Sequence, residues 1–342
     1  MKNGPDRRIL NCRTSNHRTF SRGAATLAAA LFAASVPLGA AAQEYPTRPI
    51  TLVVGFPPGG GVDMVARQLA PELEKVLDQR IIVENRPGAT ATNAMIHVSR
   101  AAPDGYTLMM GNVGMLAAKP ALYPKLPFDT ARDFQPVARV VVTPLVAVVP
   151  VSVPAKTLGE FVKLTHEKGS NFNFGSGGTG DVNHLAGELF KLQSGAQMQH
   201  VPYKGSAPAH IDLAGGRIQL MIDGENIVQA NVRDGRTRAL AITGEKRSAS
   251  LPDVPTVAEA GFPELVVYGW QGVMVPTGTP PAAVARLSSA IGKVLAEPGL
   301  AERLAKQGTS PAYLDTADFK RYIDAEAKRW AGVIESAKIT VE

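Results

Sequence analysis

Thiol chemistry is almost missing from this chain of 342 residues, which holds a single cysteine, Cys12. That residue lies ahead of an expected cleavage point after residue 42, so the mature chain would carry no thiol. Disulfides, a cysteine nucleophile, cysteine-ligated metal and a lipid anchor on a terminal cysteine are excluded with it. Long apolar runs are missing too. Beyond residue 42 no stretch reaches the roughly 18 uninterrupted apolar residues of a membrane span. The basic balance is only apparent. Of the net charge of +6, the segment up to residue 42 supplies +5, from Lys2, Arg7, Arg8, Arg13, Arg18 and Arg22 against the one acid Asp6. The remaining +1 leaves no electrostatic footprint for a phosphate backbone, and no nucleic acid partner is expected.

Signs of catalysis are equally sparse. His97, His166, His184, His200 and His210 are scattered without H-E-x-x-H or comparable ligand spacing, so no metal site is expected. No G-x-S-x-G elbow is present, Ser176 has no evident histidine and acid partners, and the carboxylates form no readable pair. The chain therefore reads as a non-enzyme without cofactor.

What is present begins with an export signal. Basic residues precede the apolar run 24–36, and small residues ending Ala40-Ala41-Ala42 form an A-x-A-like cleavage site before Gln43. Arg7-Arg8 stands well ahead of the apolar run, which favours Sec export over a twin-arginine route. The expected location is the periplasm. With 45% hydrophobic and 19% charged residues, the rest has ample material for a core, and its length favours two domains.

Short runs rich in Val and Ile alternate with helix-period segments, the pattern of an α/β protein with a largely parallel sheet. Strands are expected at 50–54, 81–84 and 107–110, with helices at 62–77 and 93–101; Val65, Leu69, Leu73 and Val76 share one face of the first helix. An extended stretch, 137–149, is broken only by Thr143-Pro144. The alternation then restarts with helices at 158–166, 182–192 and 207–213 and strands at 171–174, 200–202, 219–222 and 238–243. A second extended stretch, 266–275, precedes helices at 281–295, 300–307 and 319–337, assigned back to the first lobe. The expected organisation is a signal at 1–42, one lobe at 43–142 and 270–342, and another at 143–269, so the chain crosses between lobes through two strands.

Two glycine-rich turns carry the functional information. The first is Gly55-Phe56-Pro57-Pro58-Gly59-Gly60-Gly61-Val62-Asp63, and the second is Gly175-Ser176-Gly177-Gly178-Thr179-Gly180-Asp181-Val182-Asn183-His184. Each lies between a strand and a helix, where the first helical N–H groups lack partners and the positive end of the dipole points outward. Such a place holds an anion, and open α/β sheets bind ligands at this end of their strands. Glycine keeps side chains away from the backbone donors. Gly175, Gly177 and Gly180 also fit G-x-G-x-x-G spacing, but the acid expected about 20 residues later is missing. The first turn lacks the Gly-Lys-Ser/Thr ending of a P-loop, so nucleotide is not the expected guest.

With these turns in hand, the chain resembles the substrate-binding proteins of tripartite tricarboxylate transporters, the Bug or TctC-type receptors. The segments that carry the resemblance are Gly59-Gly60-Gly61-Val62-Asp63, Val83-Glu84-Asn85-Arg86-Pro87-Gly88-Ala89, Ala102-Pro103-Asp104-Gly105-Tyr106-Thr107-Leu108, His184-Leu185-Ala186-Gly187-Glu188-Leu189-Phe190, His200-Val201-Pro202-Tyr203-Lys204-Gly205-Ser206 and Leu251-Pro252-Asp253-Val254-Pro255-Thr256-Val257. The resemblance implies a type II periplasmic-binding-protein fold: two α/β lobes joined by two crossover strands, closing on a ligand that is delivered to membrane permease subunits. It also implies that the glycine turns hold a ligand carboxylate, partly through bound water. On that basis Phe56 packs over the ligand, Gly59 and Gly60 present N–H groups, and Ser176, Thr179 and Gly180 hold the carboxylate from the other lobe. Asn112, Gly114, Tyr203 and Asp223 line the far end of the cleft. Pro58, Asp63, Gly177 and Asp181 join the candidate set as members of the turns, and His184 either packs locally or touches the ligand.

The departures from the usual pattern bear on specificity. Leu116 and Lys119 stand where similar sequences often have His and Asn, Asp181 where a small hydroxyl is common, and Gly224 where Asn is frequent. Asp181 either acts on the ligand, discouraging a second carboxylate or favouring an amino group, or is simply a helix N-terminal acid stabilised by the dipole. Lys119 is expected on the solvated surface. The expected ligand is a small di- or tricarboxylate, an aromatic acid or an acidic amino acid, bound by a monomer. A secreted sensor of the same fold, or a hydrolase or isomerase, is the alternative.

Overall fold

The strand segments are dominated by Val, Ile, Leu and Met, and the first two pair in parallel because the helix between them returns the chain to the same edge. The computed structural model describes residues 45–341 other than Ala89 and Pro124; the export signal and the cleavage point at Ala42-Gln43 lie outside the described residues. The chain runs β1 (Ile50–Val54), α1 (Gly61–Leu77), β2 (Ile81–Asn85), α2 (Thr92–Ser99) and β3 (Thr107–Asn112). A π-helical turn (Gly114–Ala118), α3 (Lys119–Leu122), α4 (Thr130–Asp133) and the long β4 (Phe134–Pro150) follow. Next come α5 (Leu158–Thr165), β5 (Phe172–Ser176), α6 (Val182–Ser194), β6 (Met198–Pro202), α7 (Ser206–Ala214), β7 (Met221–Gly224), α8 (Glu225–Arg233) and β8 (Thr237–Ile242). The last elements are β9 (Tyr268–Pro276), α9 (Pro281–Leu295), α10 (Pro298–Ala305), β10 (Ser310–Leu314) and α11 (Thr316–Ser336). Among the described residues no helix is long and apolar enough to cross a membrane. Five of these elements, the π-helical turn, α3, α4, α8 and β10, were not expected from the sequence.

In one lobe the strand order is β10-β4-β9-β3-β1-β2, with β1 parallel to β2 and β3, and β9 antiparallel to β3 and β4. In the other, the end of β4 pairs antiparallel with both β7 and β8, while β5 and β6 pair in parallel and a Phe174–Leu220 bridge ties β5 towards β7. β4 therefore belongs to both lobes. Its pairing with β9 ends at Pro144 and its pairing with β7 begins at Leu145. The proline that breaks the apolar run in sequence sits at this change of partner, where a missing N–H costs no ladder bond in the middle of a sheet.

Burial follows the helical period. Val65, Leu69 and Leu73 of α1 are buried against the sheet with Leu287, Ile291 and Val294 of α9. A second core runs between the lobes and contains Trp270 of β9, Phe319 and Trp330 of α11, and Phe174, Leu185 and Phe190 beyond the crossover. Trp270 stands edge-on to Phe319 with ring centroids 5.6 Å apart. Both indole N–H groups, of Trp270 and Trp330, donate to the same Glu326 oxygen at 3.0 Å. This fixes α11 against a crossover strand. The second crossover is held by Thr243, whose N–H donates to the Leu145 carbonyl at 2.8 Å and whose hydroxyl accepts from the Leu145 N–H at 2.8 Å and donates to the Val267 carbonyl at 2.5 Å.

Truncation of Glu326 would leave two buried donors unpaired, each costing about 1–3 kcal/mol. Glu326→Ala is therefore expected to lower the unfolding free energy by about 2–4 kcal/mol in urea denaturation. Glu326→Gln, which keeps an acceptor oxygen, recovers most of the loss.

Candidate ligand-binding cleft

Four helices begin at one cavity of about 570 Å³ between the lobes. α1 starts after Gly60, α6 after Asp181, α7 after Gly205 and α8 after Gly224, and none of these N-cap residues makes a side-chain capping bond. Gly60, Gly61 and Val62 face the cavity from one lobe; Val182, Asn183, Ser206 and Asn226 face it from the other. Of the other helices, α4, α5 and α11 are capped by Asp129, Thr157 and Asp315, which accept from their first N–H groups, whereas α2, α3, α9 and α10 also lack a side-chain cap. An uncapped start leaves its N–H groups and roughly half a positive charge for whatever enters. The lobes approach closely here. A Cβ on Gly61 would lie 3.3 Å from the Asn226 amide, and one on Gly114 would lie 3.4 Å from the Gly180 carbonyl.

The first turn is shaped by Asp63. Its carboxylate accepts from the Gly59 N–H at 2.8 Å, from Asn85 at 2.8 Å and from Arg67, while Asn85 also donates to the Phe56 carbonyl at 3.0 Å. Burial alone would raise the Asp63 pKa, but these hydrogen bonds outweigh it and hold the carboxyl below its usual range. Asp63 is thus buried behind the turn and does not line the cavity; Phe56, Pro58, Gly59 and Gly60 do. Because the Gly59 N–H is engaged by Asp63 and the Gly60 N–H reaches the Pro57 carbonyl at 3.4 Å, the donors of this turn without an acceptor among the described residues are those of Gly61, Val62 and Asp63. The resemblance had put them at Gly59 and Gly60.

The second turn is braced by a histidine pair. Ser176 is fully buried, its hydroxyl 2.6 Å from His200 Nε2, and it also accepts from the Gly178 N–H at 3.2 Å. His184 Nδ1 accepts from the Gly180 N–H at 3.1 Å, and its ring stacks on His200 at 3.7 Å. Burial and mutual repulsion push His184 down to about 3, and burial with Lys191 pushes His200 down to about 4, so both rings are neutral near pH 7. Ser176, Gly180 and His184 are buried, and neither they nor the partly buried Gly177 and Thr179 line the cavity, whose wall here is formed by Asp181, Val182 and Asn183. The sequence showed no histidine for Ser176; the parallel register of β5 and β6 supplies one by setting Phe174 opposite His200.

Asn112 and Gly114 line the cavity from β3 and the turn after it, and Asp223 lines it from the end of β7. Tyr203 is turned away, its hydroxyl donating to Asp212 at 2.9 Å, so that Lys204 beside it takes the place at the wall. Asp223 is engaged by His210 at 3.0 Å and by the Gly224 N–H at 2.7 Å. Lys119, expected on the surface, is instead only 2% exposed. Its ammonium donates to Thr92 at 3.1 Å and sits 4.5 Å from the Tyr123 ring centre. Burial lowers its pKa to about 8, against the pull of Asp181. Burial and the charge of Asp223 push Asp181 up to about 7, with Lys119 opposing.

A cavity between two α/β lobes that share a continuous strand, rimmed by helix starts, defines a two-lobed solute-binding protein of the type II periplasmic class. Residues 65–339 match the family described as tripartite tricarboxylate transporter family receptor, TctC, and the chain belongs to that family. It is 36% identical over 302 residues to the protein BugT of Bordetella pertussis, covering 88% of this chain and 93% of that one. Among solved structures it is similar to Rpa4515 of R. palustris with adipate, at 34% identity and a TM-score of 0.80, covering 87% of this chain and 99% of that one. It is also similar to MatC (Rpa3494) from Rhodopseudomonas palustris with bound malate, at 33% identity and a TM-score of 0.75, covering 85% and 100% of the two chains.

Asp181 gives a pH signature to the empty protein. Its folded pKa of about 7 lies above the unfolded value of 3.8, so its ionisation opposes folding. The penalty is absent below that lower value, grows through the window up to about pH 7, and is constant above it. Asp181→Asn is expected to gain stability over the parent across this window by at most about 1.4 kcal/mol per pH unit. Urea unfolding at pH 4, 5.5 and 8 checks it, and a gap that fails to widen with pH contradicts the assignment.

Proposed function

We propose that this chain is a periplasmic receptor that captures a small organic carboxylate by closing its two lobes and delivers it to the membrane permease of a tripartite tricarboxylate transporter. The observation that carries this reading is the convergence of four uncapped helix starts on one cavity. Each offers N–H donors and a partial positive charge, an arrangement that suits a carboxylate and repels cations of similar size. Membership of a transporter receptor family supports the delivery step, and relatives solved with adipate and malate support the ligand class. Periplasmic location rests on the basic, apolar and small-residue segments ahead of Gln43 together with that membership. The lobes divide at 142/143 and 269/270, and the receptor works as a monomer without catalysis.

Gly60 supplies the test. It has φ −74° and ψ 164°, and a Cβ there meets nothing closer than the Pro57 carbonyl at 3.5 Å. An aspartate at this position would be a good N-cap, its own carboxylate taking the N–H groups that await the ligand. Gly60→Asp is expected to keep or slightly raise the melting temperature of the empty protein while abolishing binding. The measurement is a thermal-shift screen of residues 43–342 against mono-, di- and tricarboxylates, aromatic acids and acidic amino acids. A ligand at 100 times its Kd stabilises the parent by about 2.7 kcal/mol. A variant that still responds to the same acid would place the site elsewhere.

A further inference from the structure

The cavity carries more negative charge than a receptor for a plain diacid needs. Its ionisable lining side chains among the described residues are Asp181, Asp223 and Lys204. Four helix starts contribute roughly half a unit of positive charge each, about two units together. With both acids ionised and Lys204 charged, the cavity balances near one positive unit, and near two when Asp181, with its pKa of about 7, carries its proton. A dicarboxylate brings two negative charges and must set one of them against the acids of the wall. A dicarboxylate that also bears an ammonium group brings a net charge of one and places a cation where those acids are.

Asp181 is the group left to be satisfied. It occupies the N-cap position of α6, yet its side chain makes no capping bond, and no hydrogen bond to its carboxylate is found among the described residues. One oxygen lies 3.6 Å from where a Cβ on Gly114 would be, and the other 3.1 Å from where a Cβ on Gly177 would be, so the carboxylate sits at the seam of the two lobes, near Ser206 and Asn112 but hydrogen-bonded to neither. The buried cation whose charge it feels, Lys119, is held on Thr92 and the face of Tyr123. Asp223, by contrast, is already engaged by His210 and the Gly224 N–H. A carboxyl group with open acceptor sites in a closing cleft, ionising near pH 7, calls for a donor that arrives with the ligand.

We propose that the ligand of this receptor is an amino-bearing carboxylate, and that Asp181 selects it by accepting from its ammonium group while the helix starts hold its carboxylates. The inference rests on the carboxylate-receptor reading and adds the class of ligand and the residue that sets it. The high pKa of Asp181 in the empty cleft fits a carboxylate waiting for a cation.

The test is affinity for matched pairs that differ by one amino group, succinate with aspartate, glutarate with glutamate and adipate with 2-aminoadipate, measured by calorimetry on residues 43–342. For the chain length that binds best, the amino member is expected to bind at least tenfold more tightly than its parent acid. Asp181→Ala, which removes the carboxylate without adding a capping acceptor for the α6 N–H groups, is expected to erase that preference, weakening the amino member and not the parent acid. Asp181→Asn serves as the second variant, and the melting temperature of each empty variant reports folding. Equal or tighter binding of the parent acids, or a preference unchanged in both variants, overturns this inference and leaves the receptor reading intact. Failure of every acid in all three pairs to bind at millimolar concentration overturns this inference, and the receptor reading falls with it only if the wider carboxylate screen is also silent.

Discussion

Unmet backbone donors are the constraint from which the rest of this structure follows. Helix starts that open on a cavity without a capping side chain are destabilising on their own, since a capped start is worth about 1 kcal/mol over an uncapped one. This chain leaves four such starts at one place and caps others elsewhere with Asp129, Thr157 and Asp315. The turns that lead into them must be free of bulk and must hold their shape without a guest. Asp63 does this for the first turn and the His184–His200 stack for the second. Residues that look like ligand contacts in sequence are in several cases the frame that keeps the contacts in position.

The fold serves the same end by joining two sheets through a strand common to both. β4 pairs with β9 up to Pro144 and with β7 and β8 from Leu145 onward, and Thr243 binds the second crossover to it at Leu145 and Val267. The helix starts from the two lobes are thus brought opposite each other by the crossovers, with Thr143, Gly269 and Trp270 flooring the cleft between them. The shared core of Trp270, Phe319 and Trp330, with Glu326 buried among them, holds α11 on one of those crossovers.

Much of this was legible in the amino-acid sequence. Alternating apolar runs and helix-period segments marked most strands and helices, and glycine between a strand and a helix marked two of the four helix starts. α8 was not legible because its sequence, Glu225 to Arg233, buries only Glu225, Val228 and Gln229, too few apolar positions to show a period. Its first residue is buried by tertiary contact instead, accepting from Ser248 and Ser250. The partner of Ser176 was hidden because strand register is a long-range property: His200 is 24 residues away in sequence and opposite Phe174 in the sheet. Burial of Lys119 was missed for a local reason. The π-helical turn from Gly114 to Ala118 has an extra residue relative to an α-helical turn, which rotates whatever follows it and carries Lys119 inward.

A strand common to both sheets also limits how the lobes can travel. Sliding one past the other would tear the ladder along β4, so the freedom left is bending about Thr143 to Leu145 and the neighbouring crossover. Rotation about such an axis moves each point in proportion to its distance from it. Whatever faces the cleft farthest from Pro144 and Leu145 is therefore displaced most by a small bend of the shared strand.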